Sequence, residues 1–274
     1  MKTKKRLVYH LYSYEGCFES KIYKIHLACL SYFAKIFDEA IFIITLDNVQ
    51  DYNLIKYVEK TIIENIFIKD IKFIVKQNDN YHEASTFYEE IVKKLPKLDG
   101  ITFFGHTKGA GNQFTLGMDM DQVNLWVIAC YFFSLHFMDE VRDRIVRSPE
   151  GQTYGSLKCA WKGIENKYDW IYSGTFFWIN CQRLYNYAQK NEIEIPEINN
   201  RYYAETFCGN ILDCSLPEAC SHDYFFCQAE PGVQFLNWYK YADQFLTLFL
   251  EKEEDKIAFE EFKNNILSKA ENEK

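Results

Sequence analysis

Two periodicities alternate through the first hundred residues, and this alternation limits the available folds more than any other feature of the chain. Residues 7–12, 40–46, 71–75 and 101–104 are short apolar runs of strand length. Between them, apolar residues recur at helical spacing: Ile22, Ile25, Cys29, Phe33 and Ile36; then Leu54, Val58 and Ile62; then Ala84, Phe87, Ile91 and Leu95. Strands alternating with helices in this way predict an α/β protein built on a doubly wound parallel sheet. Such sheets bind ligands beyond the carboxyl ends of their strands, which directs attention to the loops at 13–19, 47–50, 77–82 and 105–114.

The rest of the chain is read more coarsely. Residues 118–146 form a long, nearly all-apolar helix or helix pair, 170–179 read as one buried strand, and 201–212 as a helix. The mixed-charge tail at 251–274 carries Ile257, Phe262 and Ile266 near helical spacing, as expected of a surface helix that packs back weakly. No internal repeat or low-complexity linker interrupts the chain. The expectation is one domain over 1–250, followed by a charged amphipathic helix over 251–274.

Composition removes several classes of function. The chain is 48% hydrophobic and 18% aromatic with only 12 Gly and 5 Pro in 274 residues, which describes a packed protein with few loops to spare. A net charge of -8 argues against a general nucleic-acid binder, because counterion release needs clustered Lys and Arg. Nine cysteines, an odd number in a chain of this size, favour buried reduced thiols. The group Cys208, Cys214, Cys220 and Cys227, with His222 among them, lacks the Cys-x-x-Cys pairs of common zinc modules. The basic start is not followed by a signal-peptide apolar core, and 123–138 is too short and too polar to span a membrane, so a cytoplasmic protein is expected. Lys2, Lys4, Lys5 and Arg6 leave room for peripheral contact with the anionic inner membrane surface.

The segment Phe104-Gly105-His106-Thr107-Lys108-Gly109-Ala110-Gly111-Asn112, closing the fourth strand, is the most informative in the chain. His106 and Lys108 are two apart and would face one side of an extended strand, while the glycines let backbone amides approach a ligand. Imidazole, ammonium and free amides suit a phosphate or diphosphate. An ordinary strand-to-helix turn explains the same residues without a ligand. Neither Gly-x-Gly-x-x-Gly after the first strand nor a Walker A pattern is present, which argues against nicotinamide-dependent dehydrogenases and P-loop enzymes.

Three blocks, His106-Thr107-Lys108-Gly109, Ser173-Gly174-Thr175-Phe176-Phe177-Trp178 and Arg201-Tyr202-Tyr203-Ala204-Glu205, together with Tyr9-His10-Leu11-Tyr12, resemble a family of bacterial glycosyltransferase-like proteins of surface-polysaccharide loci. A more distant likeness is to the rhamnan-synthesis glycosyltransferases. The resemblance spans roughly residues 7 to 225 in four short blocks. It implies a GT-A-like, Rossmann-like fold with a mostly parallel sheet flanked by helices, a nucleotide-sugar donor, and a glycan or lipid-linked glycan acceptor.

The chemistry of the residues, together with the resemblance, suggests roles. Lys108 and His106 would neutralise the departing diphosphate, and Glu205 would be general base on the acceptor hydroxyl. His10, Gly109, Gly111, Asn112, Ser173, Gly174 and His222 would line the donor site. Asp47 joins them on its strand-end position alone. Thr175, Trp178, Arg201 and Tyr202 would meet the acceptor, a ring beside hydroxyls being a sensible sugar platform. Each has a plainer reading: Glu205 as an i,i+4 surface partner of Arg201, Trp178 as core, His222 as a structural histidine. GT-A enzymes usually place Asp-x-Asp at the end of the fourth strand to hold a divalent cation, and His106-Thr107-Lys108 stands there instead. Asp119-Met120-Asp121 could hold Mn2+ or Mg2+, but it falls where the long helix should begin, and acidic residues in a first turn are ordinary dipole complements. A nucleotidyl- or phosphotransferase on the same scaffold and a non-catalytic glycan-binding protein remain the alternatives.

Overall fold

The computed structural model describes residues 3–110, 119–147, 152–155, 158–160 (backbone only), 170–172, 174–212, 242, 246, 250 and 252–272. The elements in chain order are β1 (Lys5–Tyr12), α1 (Lys21–Phe33), β2 (Glu39–Leu46), α2 (Tyr52–Asn65), β3 (Ile71–Gln77), α3 (Glu83–Glu90), β4 (Ile101–His106), α4 (Met120–Leu135), α5 (Met138–Val141), β5 (Thr153–Gly155), β6 (Lys158–Ala160), β7 (Trp170–Tyr172), β8 (Phe177–Ile179), α6 (Cys181–Lys190), α7 (Tyr203–Ile211) and α8 (Glu253–Asn272). The main sheet runs β3-β2-β1-β4-β8-β5. Its first four strands pair in parallel, and β8 lies antiparallel to both β4 and β5. This is the expected mixed α/β architecture, a mostly parallel sheet flanked by helices with a helical C-terminal tail.

The periodic residues fold as their spacing predicts, because each helix must bury its apolar stripe against the sheet. Ile22, Ile25, Cys29 and Phe33 of α1 are buried, as are Val58 and Ile62 of α2 and Ala84 and Phe87 of α3. Two cores form on the two faces of the sheet. Leu7, Tyr9 and Leu11 of β1 join α1, α4 and α8 on one side. Val8 of β1 and Phe104 of β4 join α3, α6 and α7 on the other. Burial on both faces is why these strands read as continuous apolar runs rather than alternating ones. Helix α4 is buried on nearly every side, so it carries no amphipathic signature.

Four expectations are corrected by the packing. Residues 170–179 are two strands in different sheets, because Gly174 at φ 91° and Thr175 at φ 58° turn the chain between them. The third helix stops at Glu90 and continues as a 3-10 turn, Val92–Lys97, around Pro96, whose missing N–H cannot extend an α-helix. The tail does not pack weakly: Phe259, Phe262, Ile266 and Ala270 of α8 are buried, with Phe262 against Tyr32 and Phe33 of α1 and Phe259 against Phe132 and Phe133 of α4. Nor is Arg6 free for a membrane surface, and Lys2 lies outside the described residues. The Arg6 guanidinium is buried and bonds Glu39 and Asp99, while Lys4 pairs with Glu39 at 2.7 Å. Burial pushes the Glu39 carboxyl up, but Lys4 and Arg6 outweigh it and hold the group below its ordinary range. Among the described residues, no helix is long and apolar enough to cross a membrane.

Candidate functional site

The carboxyl ends of β1 and β4 lie side by side, with His10 and His106 in register. After His106 the backbone turns sharply. The Lys108 amide donates to the His106 carbonyl at 2.7 Å, and Gly109 takes φ 81°, a left-handed conformation that favours glycine. A Cβ on Gly109 would lie 2.7 Å from Val123 Cγ1, so α4 packs against the bare backbone there. The Thr107 amide donates to the His10 carbonyl, and the Tyr12 amide donates to Thr107 Oγ1, which fastens the turn to β1.

The turn delivers Lys108 to Glu205. Lys108 Nζ lies 3.3 Å from Glu205 Oε1, with side chains only 12% and 5% exposed, and 5.2 Å from the centre of the Trp126 ring. Glu205 sits in the first turn of α7, where the helix dipole favours a carboxylate. Its Oε1 also accepts the Gly174 amide at 3.3 Å, while the Gly174 carbonyl accepts His106 Nε2–H at 3.1 Å. One residue at the break between β7 and β8, Gly174, therefore ties the end of β4 to the start of α7. Burial raises the Glu205 carboxyl above its ordinary value, Lys108 opposes that, and the Glu83 charge adds to it. Burial, followed by the charge of Lys108, drives His106 well below the usual imidazole range, so its ring is neutral.

This arrangement brings together Lys108, Glu205, His106, Gly109 and Gly174 and separates the other sequence candidates. Glu205 is not a surface partner of Arg201: it is buried, whereas Arg201 lies outside the helix and stacks its guanidinium 4.9 Å from the Tyr202 ring. His106 is no cation for a diphosphate, because it is neutral and Nε2 is committed to a carbonyl. His10 is buried with Nδ1 2.9 Å from Thr86 Oγ1 and Nε2 3.4 Å from Thr45 Oγ1, and burial takes it down to about 3. It packs β1 against α3 and β2 rather than facing a donor. Asp47 lies exposed at the sheet's rim, accepting the Tyr12 hydroxyl at 2.9 Å and the Asn78 amide at 3.1 Å. Burial and then the Asp47 bond push the Tyr12 phenol up to about 12.

The acceptor platform needs the largest correction. Trp178 is fully buried, donates Nε1–H to the Ser134 carbonyl and stacks on Phe37, so it offers no face to a sugar. Thr175 is fully buried as well, and its hydroxyl has no hydrogen-bond partner among the described residues. Tyr172, Phe176, Phe177 and Tyr203 are core rings. Tyr202, 37% exposed, and Arg201 beside it are the acceptor candidates that stay accessible.

Asp119 is the N-cap of α4, its Oδ1 accepting the amides of Asp121 and Gln122, and exposed Asp121 faces Lys21 at 3.6 Å. These contacts are those of a helix cap and a first-turn acid. Among the described residues no group of three or more His, Cys, Asp or Glu could hold a metal ion. Cys17, Cys29, Cys130, Cys181 and Cys208 are buried. The candidates Gly111, Asn112, Ser173 and His222, and with them Cys214, Cys220 and Cys227, lie outside the described residues.

Two residues at this site escaped sequence reasoning. Trp126 lies in an all-apolar helix and leaves no signal. His26 interrupts the apolar face of α1 beside Ile22 and Ile25, and its Nε2–H donates to the Lys108 carbonyl at 2.8 Å.

No family model matches the chain, and no curated protein matches it. Among solved structures it is similar to 4-diphosphocytidyl-2C-methyl-D-erythritol synthase, at 9% identity and a TM-score of 0.36 over 80% of this chain and 96% of that one. A likeness at this level carries no functional argument.

Proposed function

We propose that the chain is a glycosyltransferase that moves a sugar from a nucleotide-diphosphate donor to a glycan hydroxyl in surface-polysaccharide assembly. The observation that supports it is the buried Lys108–Glu205 pair at the carboxyl end of the parallel sheet, where such folds receive ligands. A shielded ammonium is suited to a departing diphosphate, and a buried carboxyl of raised proton affinity is suited to general-base work.

In this reading the donor diphosphate draws the Lys108 ammonium away from Glu205. The bond from the sugar C1 to the phosphate oxygen breaks with its electron pair on that oxygen. The acceptor oxygen forms the new bond to C1, and its proton passes to Glu205. Gly174 and neutral His106 fix the positions of both groups, and Tyr202 is the ring open to the acceptor. The chemistry runs without a divalent cation, with Lys108 in its place.

A panel of sugar nucleotides, nucleoside triphosphates and glycans, read by thermal shift and hydrolysis, tests the reading. Stabilisation and turnover with a sugar nucleotide are expected, lost in Lys108→Ala. Response to triphosphates alone favours nucleotidyl transfer, and response to glycans alone favours a binding protein. Transfer abolished by a chelator and restored by manganese refutes the metal-free step.

A further inference from the structure

His26, Tyr9 and Tyr131 form a closed polar triangle inside an otherwise apolar core. Tyr9 Oη is 2.9 Å from His26 Nδ1 and 2.8 Å from Tyr131 Oη, and His26 Nδ1 is 2.9 Å from Tyr131 Oη. All three side chains are buried, on β1, α1 and α4. Isolated polar groups in such a place cost stability unless they bond one another. The triangle has an outlet in one direction, from His26 Nε2 to the Lys108 carbonyl.

The chemistry of that outlet fixes the tautomer. A carbonyl only accepts, so Nε2 carries the proton. Burial takes His26 down to about 4, so the ring is neutral near pH 7 and Nδ1 is bare. One tyrosine hydroxyl donates to Nδ1 and the other donates to the first. The ring is thus held in orientation by two hydroxyls from β1 and α4, while it holds the peptide that carries Lys108. The next residue is Gly109, left-handed and pressed against Val123, so the peptide has little freedom to relocate.

We infer that His26 is a positioning residue, which fixes the Lys108 peptide through Nε2–H and so aims the ammonium at Glu205. The consequence for turnover rests on the proposed function; the placement of Lys108 does not. If His26 only filled the core, the triangle with the tyrosines would be what matters. If it positions Lys108, the Nε2 bond is what matters.

The two amide replacements separate these cases. Gln places its amide nitrogen near Nε2 and keeps the donor to Lys108, whereas Asn reaches only as far as Nδ1 and keeps a partner for the tyrosines. The full-length chain is used for wild type, His26→Gln and His26→Asn, with acetic anhydride labelling of Lys108 read by mass spectrometry alongside the melting temperature. Labelling of Lys108 at least fivefold faster in the Asn variant than in the Gln variant, at comparable melting temperatures, is expected. Where a sugar-nucleotide substrate is in hand, kcat/KM for the donor should fall roughly tenfold to a hundredfold in the Asn variant and recover in the Gln variant. Equal labelling in the two variants, or labelling that only follows the melting temperature, overturns the inference. Faster labelling without any loss of turnover leaves His26 as the brace and refutes instead the catalytic role of Lys108.

Discussion

Replacing Lys108 by Met removes the counter-ion of a buried carboxylate and tests the electrostatics of the site directly. Glu205 has an ordinary value of 4.5, which burial has already raised against the opposition of Lys108. A carboxyl whose folded value lies above its unfolded one binds its proton more tightly when folded, so stability is lost as pH rises above 4.5. Without Lys108 that loss deepens, and it is limited only by the carboxyl taking up a proton. At about 1.4 kcal/mol per pH unit, the interval from 4.5 to 7 allows roughly 3 kcal/mol, near the lower end of the cost of breaking a buried pair. Urea unfolding of Lys108→Met should therefore show about 2 to 3 kcal/mol lost at pH 7, most of it regained at pH 5. Lys108→Met combined with Glu205→Gln should lose this pH dependence and stay nearer wild type at pH 7, because no charge is left unpaired. Equal destabilisation of Lys108→Met at pH 5 and pH 7, or an unchanged slope in the double variant, would refute the burial of Glu205 as the cause.

Two further outcomes follow from local geometry. Asp119→Ala should cost about 1 kcal/mol through the lost cap of α4, and any transfer activity should survive in EDTA; a large activity loss rescued by added Mn2+ would restore the metal reading. Gly109→Ala should destabilise by roughly 1 to 3 kcal/mol, since its Cβ meets Val123 in a left-handed backbone, and Val123→Ala in the same chain should recover part of that loss; no recovery would assign the whole cost to φ.

The sheet was legible because a sheet covered by helices on both faces writes its burial into the chain at two local periods. The runs at 7–12 and 40–46 lie within β1 and β2, and Ile22, Ile25 and Cys29 are buried as their spacing implies. The break at Gly174 leaves only a short mark in the sequence, Ser173-Gly174-Thr175 between two apolar runs, and the left-handed turn is what reveals two strands. Trp178 and Tyr202 show the same limit. Both are aromatic and flank the conspicuous motifs, yet one stacks in the core and the other faces solvent.

Local sequence determined the order of strands and helices through β4, the start of α4 at Asp119, and the loop after β4 as the place to look, because propensity, capping and periodicity act between near neighbours. Tertiary structure decided which charges meet. Lys108 and Glu205 are 97 residues apart in sequence, His26 and Lys108 are 82 apart, and each pair closes only when the sheet and its helices are packed. The same packing buries the Glu205 carboxyl and raises its proton affinity, a property of its surroundings that no residue carries by itself.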